Sequence, residues 1–498
     1  GLTVAATILI LRGCEARHMA ELDIWHRVAL DHEFDHNQRR SVRTLGDYLA
    51  LEDRLFAELD ERVYAHVSGG GDELFNRYAR TSRSHPENMP TDFNRTQVLT
   101  PTGGLDAAVG GALLLHGLSD SPYSLRTVAE LLHSRGYYVV NLRLPGHGTT
   151  PGSLDAAHWR DWRAAAELGA RHVKDAVGEK PFVMVGYSNG GALALQQTLS
   201  AISHPTDADT GAARPVADKL FLISPAVGIT RFAKAGGIHR LLTWHSYFEQ
   251  FAWRSITPEY DPFKYNSFPK NAGKQISDLT DRVRAEMKAV CAAGKADRIP
   301  PIVTHQSVVD STVLIRKTLE FYDRLPDNGS ELVIYDVNRA SYLKHFVDDR
   351  QTELLDAARD RSDLPYRLTV IGNVSPATLD TEAVSIGPAA TPGTTAPLDT
   401  PWPADVYSLS HIALPFSPDD PIYGRRRVTP CEPETNPADA APEPGRAAWP
   451  DLPIGSIEMR GERHLLSISA NDLIRLRHNP FFAELERDLI GHLEHTSR

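Results

Sequence analysis

The sequence predicts an α/β fold in which apolar strands alternate with helices, and three segments carry that reading. Gly111-Ala112-Leu113-Leu114-Leu115-His116-Gly117-Leu118 is a buried strand that runs into a His-Gly turn. A Ser-Asp-Ser-Pro turn and an amphipathic helix from about Tyr123 to Arg135 follow it. Tyr137 to Leu144 is a second strand, ending in Pro145-Gly146-His147-Gly148. Phe182-Val183-Met184-Val185 is a third, and Gly186-Tyr187-Ser188-Asn189-Gly190 turns it into the helix-like Gly191 to Leu195.

Upstream of these units, Leu2 to Leu11 is an apolar run too short to span a bilayer, and its basic residue follows the run rather than preceding it. Leu11-Arg12-Gly13-Cys14 faintly matches a bacterial lipoprotein cleavage site, with the Arg counting against it; a plain N-terminal arm is the alternative. Any membrane attachment is expected through the N-terminus alone. From Thr44 to Val67, the spacing of Leu45, Tyr48, Leu49, Leu55, Phe56, Leu59 and Val63 predicts an amphipathic helix packed on the core, ended by Ser68-Gly69-Gly70-Gly71.

Ser188 is the candidate nucleophile. A serine on a tight strand-to-helix turn has a strained backbone, and small residues two positions to either side avoid a clash with the flanking strand and helix. Gly186, Gly190 and Gly191 supply that room. A helix N-terminus capped by a serine is the competing explanation. In acyl transfer the oxyanion needs two fixed donors, typically the N–H after the nucleophile and one from the loop leaving the earlier strand. Those would be the backbone amides of Asn189 and Leu118.

Together these residues resemble the α/β-hydrolase superfamily, in its branch of monoacylglycerol-lipase-like and serine-aminopeptidase-like carboxylesterases. In that branch LLLHG followed by SP, RLPGHG and GYSNGG occur in this order, and the resemblance is close over about 110–227. It implies the α/β-hydrolase fold, a mostly parallel doubly wound sheet with an inserted cap and a large late insertion, and a Ser, Asp, His triad in that chain order. The acid is then expected at Asp310, just past the strand Pro301 to Gln306, where a helix N-cap is the ordinary alternative; Asp336, after the strand Glu331 to Tyr335, is the lesser candidate. Two histidines compete as base. His345 has the expected distance from Glu331 to Tyr335, read as the last core strand, but its surroundings are helix-like. His411 lies in Tyr407-Ser408-Leu409-Ser410-His411-Ile412-Ala413-Leu414-Pro415, a loop context suited to a catalytic imidazole, and is preferred.

The 498 residues exceed a minimal core of this kind, so additions are expected. The expected division is an N-terminal arm and helix over 1–105, the first part of the core over 106–227, a cap over 228–299, and the second part of the core over 300–498 with an insertion at about 340–405. Trp244, Tyr247, Phe248, Phe251 and Trp253, then Tyr260, Phe263, Tyr265 and Phe268, read as the core of a small cap with some rings toward an acyl pocket, followed by an amphipathic helix from about Lys274 to Ala293. Residues 375–403 and 430–450, rich in Pro, Ala, Thr and Asp, read as surface loops or linkers. Asp419 and Asp420, beside Pro421, suit a turn better than a cation site.

Net charge of −11 offers no basic stripe for nucleic acid. Three cysteines, Cys14, Cys291 and Cys431, lie too far apart for a disulfide framework or zinc site, and no His-Glu-x-x-His or similar spacing is found. The expected activity is cleavage of a small carboxylic ester through an acyl-enzyme, with no cofactor or metal required. The alternatives are an amidase or aminopeptidase with the same triad, and, from a different class, an inactive scaffold serving as a binding protein.

Overall fold

The computed structural model describes residues 20–67, 75–208, 210–228, 246–309, 314–341, 349–388, 393–404, 406, 408–425 and 477–496. Its centre is a ten-stranded sheet. In chain order the strands are β1 (Gln97–Leu99), β2 (Gly110–Leu115), β3 (Tyr137–Leu142), β4 (Phe182–Tyr187), β5 (Lys219–Ile223), a separate ribbon of β6 (Trp253–Ser255) and β7 (Phe268–Pro269), then β8 (Ile302–Ser307), β9 (Glu331–Tyr335), β10 (Arg367–Asn373), β11 (Thr381–Ile386) and β12 (Thr394–Leu398). The spatial order is β1-β3-β2-β4-β5-β8-β9-β10-β11-β12. From β3 to β10 every pairing is parallel. Chain order reverses around β2, the doubly wound arrangement the sequence predicts.

Parallel central strands are covered on both faces and so read as unbroken apolar runs. β2, β3, β4 and β5 are buried at every position. The main helices are α1 (Leu45–Arg62), α2 (Arg126–Ser134), α3 (Trp159–Val177), α4 (Asn189–Ser203), α5 (Lys270–Ala292), α6 (Ile315–Tyr322), α7 (Asp349–Arg359) and α8 (Phe482–Thr496). Alternation along β2 sorts them. Leu113 and Leu115 join the core with Trp162 and Val173 of α3, Leu193 of α4, Leu279 of α5 and Leu319 of α6. Ala112 and Leu114 face the opposite side, where Val128 and Leu132 of α2 and Leu485, Leu489 and Leu493 of α8 complete a second core.

Two expectations are corrected beyond β9. Glu331–Tyr335 is not the last core strand, because β10 pairs parallel to it after a crossover through α7, whose Leu355 and Ala358 are buried. Residues 375–403 are not simply surface loops: β11 pairs with β10 along its whole length, and β12 pairs with β11. Thr, Ser and Pro in this stretch hide the strand signal. Tertiary pairing decides such marginal strands, and Pro397 is tolerated because it lies on the outermost strand. The predicted helix at about 274–293 exists and starts earlier, at Lys270.

The N-terminal helix is locked to the sheet by charge as well as by packing. Arg143, just past β3, is fully buried; its guanidinium meets Glu33 at 3.0 Å and Glu52 of α1 at 2.9 Å and donates to the His147 carbonyl at 3.0 Å. Its backbone carbonyl accepts from Tyr48 Oη at 2.8 Å. Removing one member of such a group leaves the others charged and unpaired in a dry interior. Arg143→Ala is expected to destabilise the protein by about 3–5 kcal/mol. Denaturant unfolding checks this, and a loss below about 1 kcal/mol, as for an exposed ion pair, would refute it.

Candidate active site

β4 delivers Ser188 to the carboxyl edge of the sheet, where α4 begins. Its backbone has φ 51° and ψ −107°, outside the comfortable range of an L-residue. The Ser188 N–H donates to the Ile223 carbonyl at 2.9 Å, and its carbonyl accepts from Ala226 at 3.0 Å, so β5 and the loop after it hold the turn open. A Cβ at Gly186 would lie 2.5 Å from the Gly190 carbonyl oxygen, and one at Gly190 only 1.8 Å from the Leu115 oxygen. Both positions therefore demand glycine. The capping explanation does not account for this serine, whose side chain makes no capping hydrogen bond to α4.

Three non-glycine residues have positive φ among the described residues: Ser119, Ser188 and Ser224, at 63°, 51° and 43°. They follow β2, β4 and β5, which are consecutive neighbours in the sheet. Strain concentrated along one edge in this way persists only where surrounding structure over-determines it, a feature of functional sites. Asn189 is the first residue of α4, so its N–H has no acceptor within the helix and sits at the positive end of the helix dipole. Leu118 lies on the loop leaving β2, the strand directly beside β4. Asn189 is buried, and neither atom of its side-chain amide has a hydrogen-bond partner among the described residues.

The two motif histidines that precede Ser188 are structural. His116 Nε2 accepts from the Leu144 N–H at 3.0 Å, while Nδ1 lies 2.9 Å from the Gly117 carbonyl. His147 Nδ1 lies 2.9 Å from the Pro145 carbonyl. Burial holds His147 down to about 3, and burial reinforced by the neighbouring His147 holds His116 well below its ordinary value. Both are neutral posts that fix the two loops.

His411 is half-buried on a turn-rich segment. Three anchors hold that segment. Asn338, past β9, donates to the Val406 carbonyl at 3.0 Å, and the Phe416 carbonyl accepts from Asn479, just before α8, at 2.8 Å. Asp420 accepts from Tyr123 Oη at 2.8 Å and from the Ile422 and Tyr423 amides at 2.9 Å, which makes it the turn residue expected. Tyr123 also stacks on Phe263, in the connection from β6 to β7, with ring centroids 4.1 Å apart, and Phe416 and Tyr423 join the same cluster. The β2 loop, the β6–β7 connection and the His411 segment thus meet in one place.

Sequence reasoning missed the ion pair at that meeting point. Asp120, on the β2 loop, is buried and receives Lys264 Nζ from the β6–β7 connection at 2.8 Å. Burial raises the pKa of Asp120, while the charges of Lys264 and His411 pull it back. The neighbouring Tyr265 N–H donates to the Ser119 carbonyl at 2.8 Å, so the β6–β7 connection latches the same loop by backbone. Asp120 stood in the Ser-Asp-Ser-Pro turn as a visible hint; nothing marked Lys264.

Asp310 and His345 lie outside the described residues, as do Trp244 and Cys14. Asp336 is buried and engaged elsewhere, with Oδ2 receiving Arg339 Nε at 2.7 Å and Oδ1 receiving the Val337 N–H at 2.8 Å. No helix among the described residues is long and apolar enough to cross a membrane.

Residues 112–365 match the alpha/beta hydrolase family. A thermostable monoacylglycerol lipase of Bacillus sp. (strain H-257) is 28% identical over 184 residues, which span 37% of this chain and 67% of that one. Among solved structures, Est1E from Butyrivibrio proteoclasticus with bound ferulic acid is 16% identical, with a TM-score of 0.34, over 53% of this chain and 92% of its own. A monoacylglycerol lipase of Paleococcus ferrophilus is 18% identical, with a TM-score of 0.33, over 48% of this chain and 87% of its own.

Proposed function

Because the chain belongs to the alpha/beta hydrolase family, we propose that it is a serine hydrolase that cleaves carboxylic esters through an acyl-enzyme. The observation that carries the proposal is the strained Ser188 turn, closed by glycines that tolerate no Cβ, beside the β2 loop. In this reading His411 takes the Ser188 proton as Oγ attacks the ester carbonyl, and the Leu118 and Asn189 amides hold the oxyanion. Collapse of the tetrahedral intermediate expels the alcohol with the proton from His411; water then attacks the acyl-enzyme by the same route, and Ser188 regains its proton. Asp310 would fix the imidazole tautomer and stabilise its charge.

The substrate is proposed to be a small ester with an apolar acyl group. An aminopeptidase needs a carboxylate left open for a substrate amine, and two carboxylates here are already engaged. Asp120 on the β2 loop pairs with Lys264, and Glu259 accepts the Asn266 and Ser267 amides, one on each oxygen. Alkoxide is also a better leaving group than amine. The test compares kcat/KM for p-nitrophenyl acyl esters of rising chain length with matched anilides and aminoacyl anilides. Esters are expected to react far faster. Preference for aminoacyl anilides would sink the esterase reading and promote the peptidase, and failure of a fluorophosphonate to label Ser188 would remove both.

A further inference from the structure

On the face of the sheet opposite α3 and α4, four ionisable side chains converge where α8 crosses β8 and β9. His305 on β8 and Glu331 on β9 point to this face together, because the register pairs Val303 with Glu331 and His305 with Val333. Asp488 and His492 stand one helical turn apart on α8, on a common stripe. His492 Nε2 lies 3.3 Å from Glu331 Oε2 and 3.3 Å from Asp488 Oδ1.

Those distances are long for charge-assisted hydrogen bonds, which run about 2.7–2.9 Å, and one ring nitrogen carries at most one proton to share between two carboxylates. They suit a different geometry. Zinc bonds of about 2.0–2.2 Å to imidazole and carboxylate place neighbouring ligands of a tetrahedron about 3.3–3.6 Å apart. The ligand atoms of Glu331, Asp488 and His492 all lie within 4.8 Å of one another.

Each carboxylate is also oriented in advance. Glu331 Oε1 accepts from Thr369 Oγ1 at 2.6 Å, and Asp488 Oδ2 lies 2.9 Å from His305 Nε2, leaving Oε2 and Oδ1 turned to His492. His305 is itself held at Nδ1, 3.1 Å from Tyr335 Oη. Such hydrogen bonds behind the ligands are what a metal site uses to aim them. Two cations stand at the rim: Arg367 Nε is 3.9 Å from Glu331 Oε2, and Lys219 Nζ is bound to the His492 carbonyl at 2.7 Å.

We propose that Glu331, Asp488 and His492 form a site for one divalent transition-metal ion of the zinc class, with His305 as a positioning residue behind Asp488. Two carboxylates and a neutral imidazole balance a dication, and the nitrogen ligand with only three protein donors disfavours magnesium and calcium, which want six or more oxygens. The three side chains are 13–23% exposed, so water reaches the fourth position. The ion would tie α8 to the β8–β9 part of the sheet.

The test is calorimetric titration of the chelator-treated full chain with zinc chloride, paired with thermal unfolding followed by circular dichroism. One equivalent is expected to bind and raise Tm, whereas magnesium does neither. His305→Gln should weaken zinc about 10-fold or more through Asp488, and His492→Gln and Glu331→Gln at least as much, each with an unchanged spectrum. Glu331→Gln serves as the second variant if His492→Gln does not fold. Absence of saturable one-to-one binding, or binding that these replacements leave unchanged, overturns the proposal.

Discussion

Replacing Ser188 by alanine is expected to leave the protein folded while lowering turnover of a short p-nitrophenyl ester by about 10³-fold or more. Folding should survive for two reasons. Serine and alanine both carry a Cβ, so the strain at φ 51° is the same for either residue. The serine hydroxyl also makes no capping bond whose loss would weaken α4. Activity should collapse because covalent catalysis depends on that oxygen, and the amides of Leu118 and Asn189 supply only residual stabilisation without it. Stopped turnover with unchanged thermal unfolding is the expected pair of measurements. Undiminished turnover in a pure preparation would end the serine mechanism.

His411→Ala should likewise lower kcat/KM by about 10³-fold or more, whereas His345→Ala should alter it less than about threefold. Placement is what separates the two histidines. His411 sits on a segment fixed by Asn338, Asn479 and Asp420, and Asp420 accepts from Tyr123, on the turn that follows the β2 loop. β2 runs directly beside β4, so that loop borders Ser188. His116 and His147 are disqualified as bases by their backbone hydrogen bonds and by burial. Steady-state kinetics of the two variants decides the matter, and the opposite ranking would move the base to His345.

Much of this was legible in the chain. β2, β3 and β4 are apolar runs because both faces of each are covered, and Gly186 and Gly190 are where a strand-to-helix turn admits no side chain. Local patterns of this kind are written by nearest neighbours. The strands beyond β9 were not legible, since Thr394–Leu398 has no apolar alternation and exists only by pairing with β11. Lys264 gave no sign either, because its partner Asp120 lies 144 residues away.

By itself the sequence determined the α/β class, the strained serine turn and the two histidine-glycine loops, all of which depend on contacts within a few residues. Tertiary structure decided which charges meet. Asp488 and His492 are an unremarked pair on a helix until β9 brings Glu331 to them, and Arg143 is an ordinary arginine until Glu33 and Glu52 close on it. Charges acquire large energies only when the fold removes water from between them, and where water is removed is a property of the packed chain, not of its local pattern.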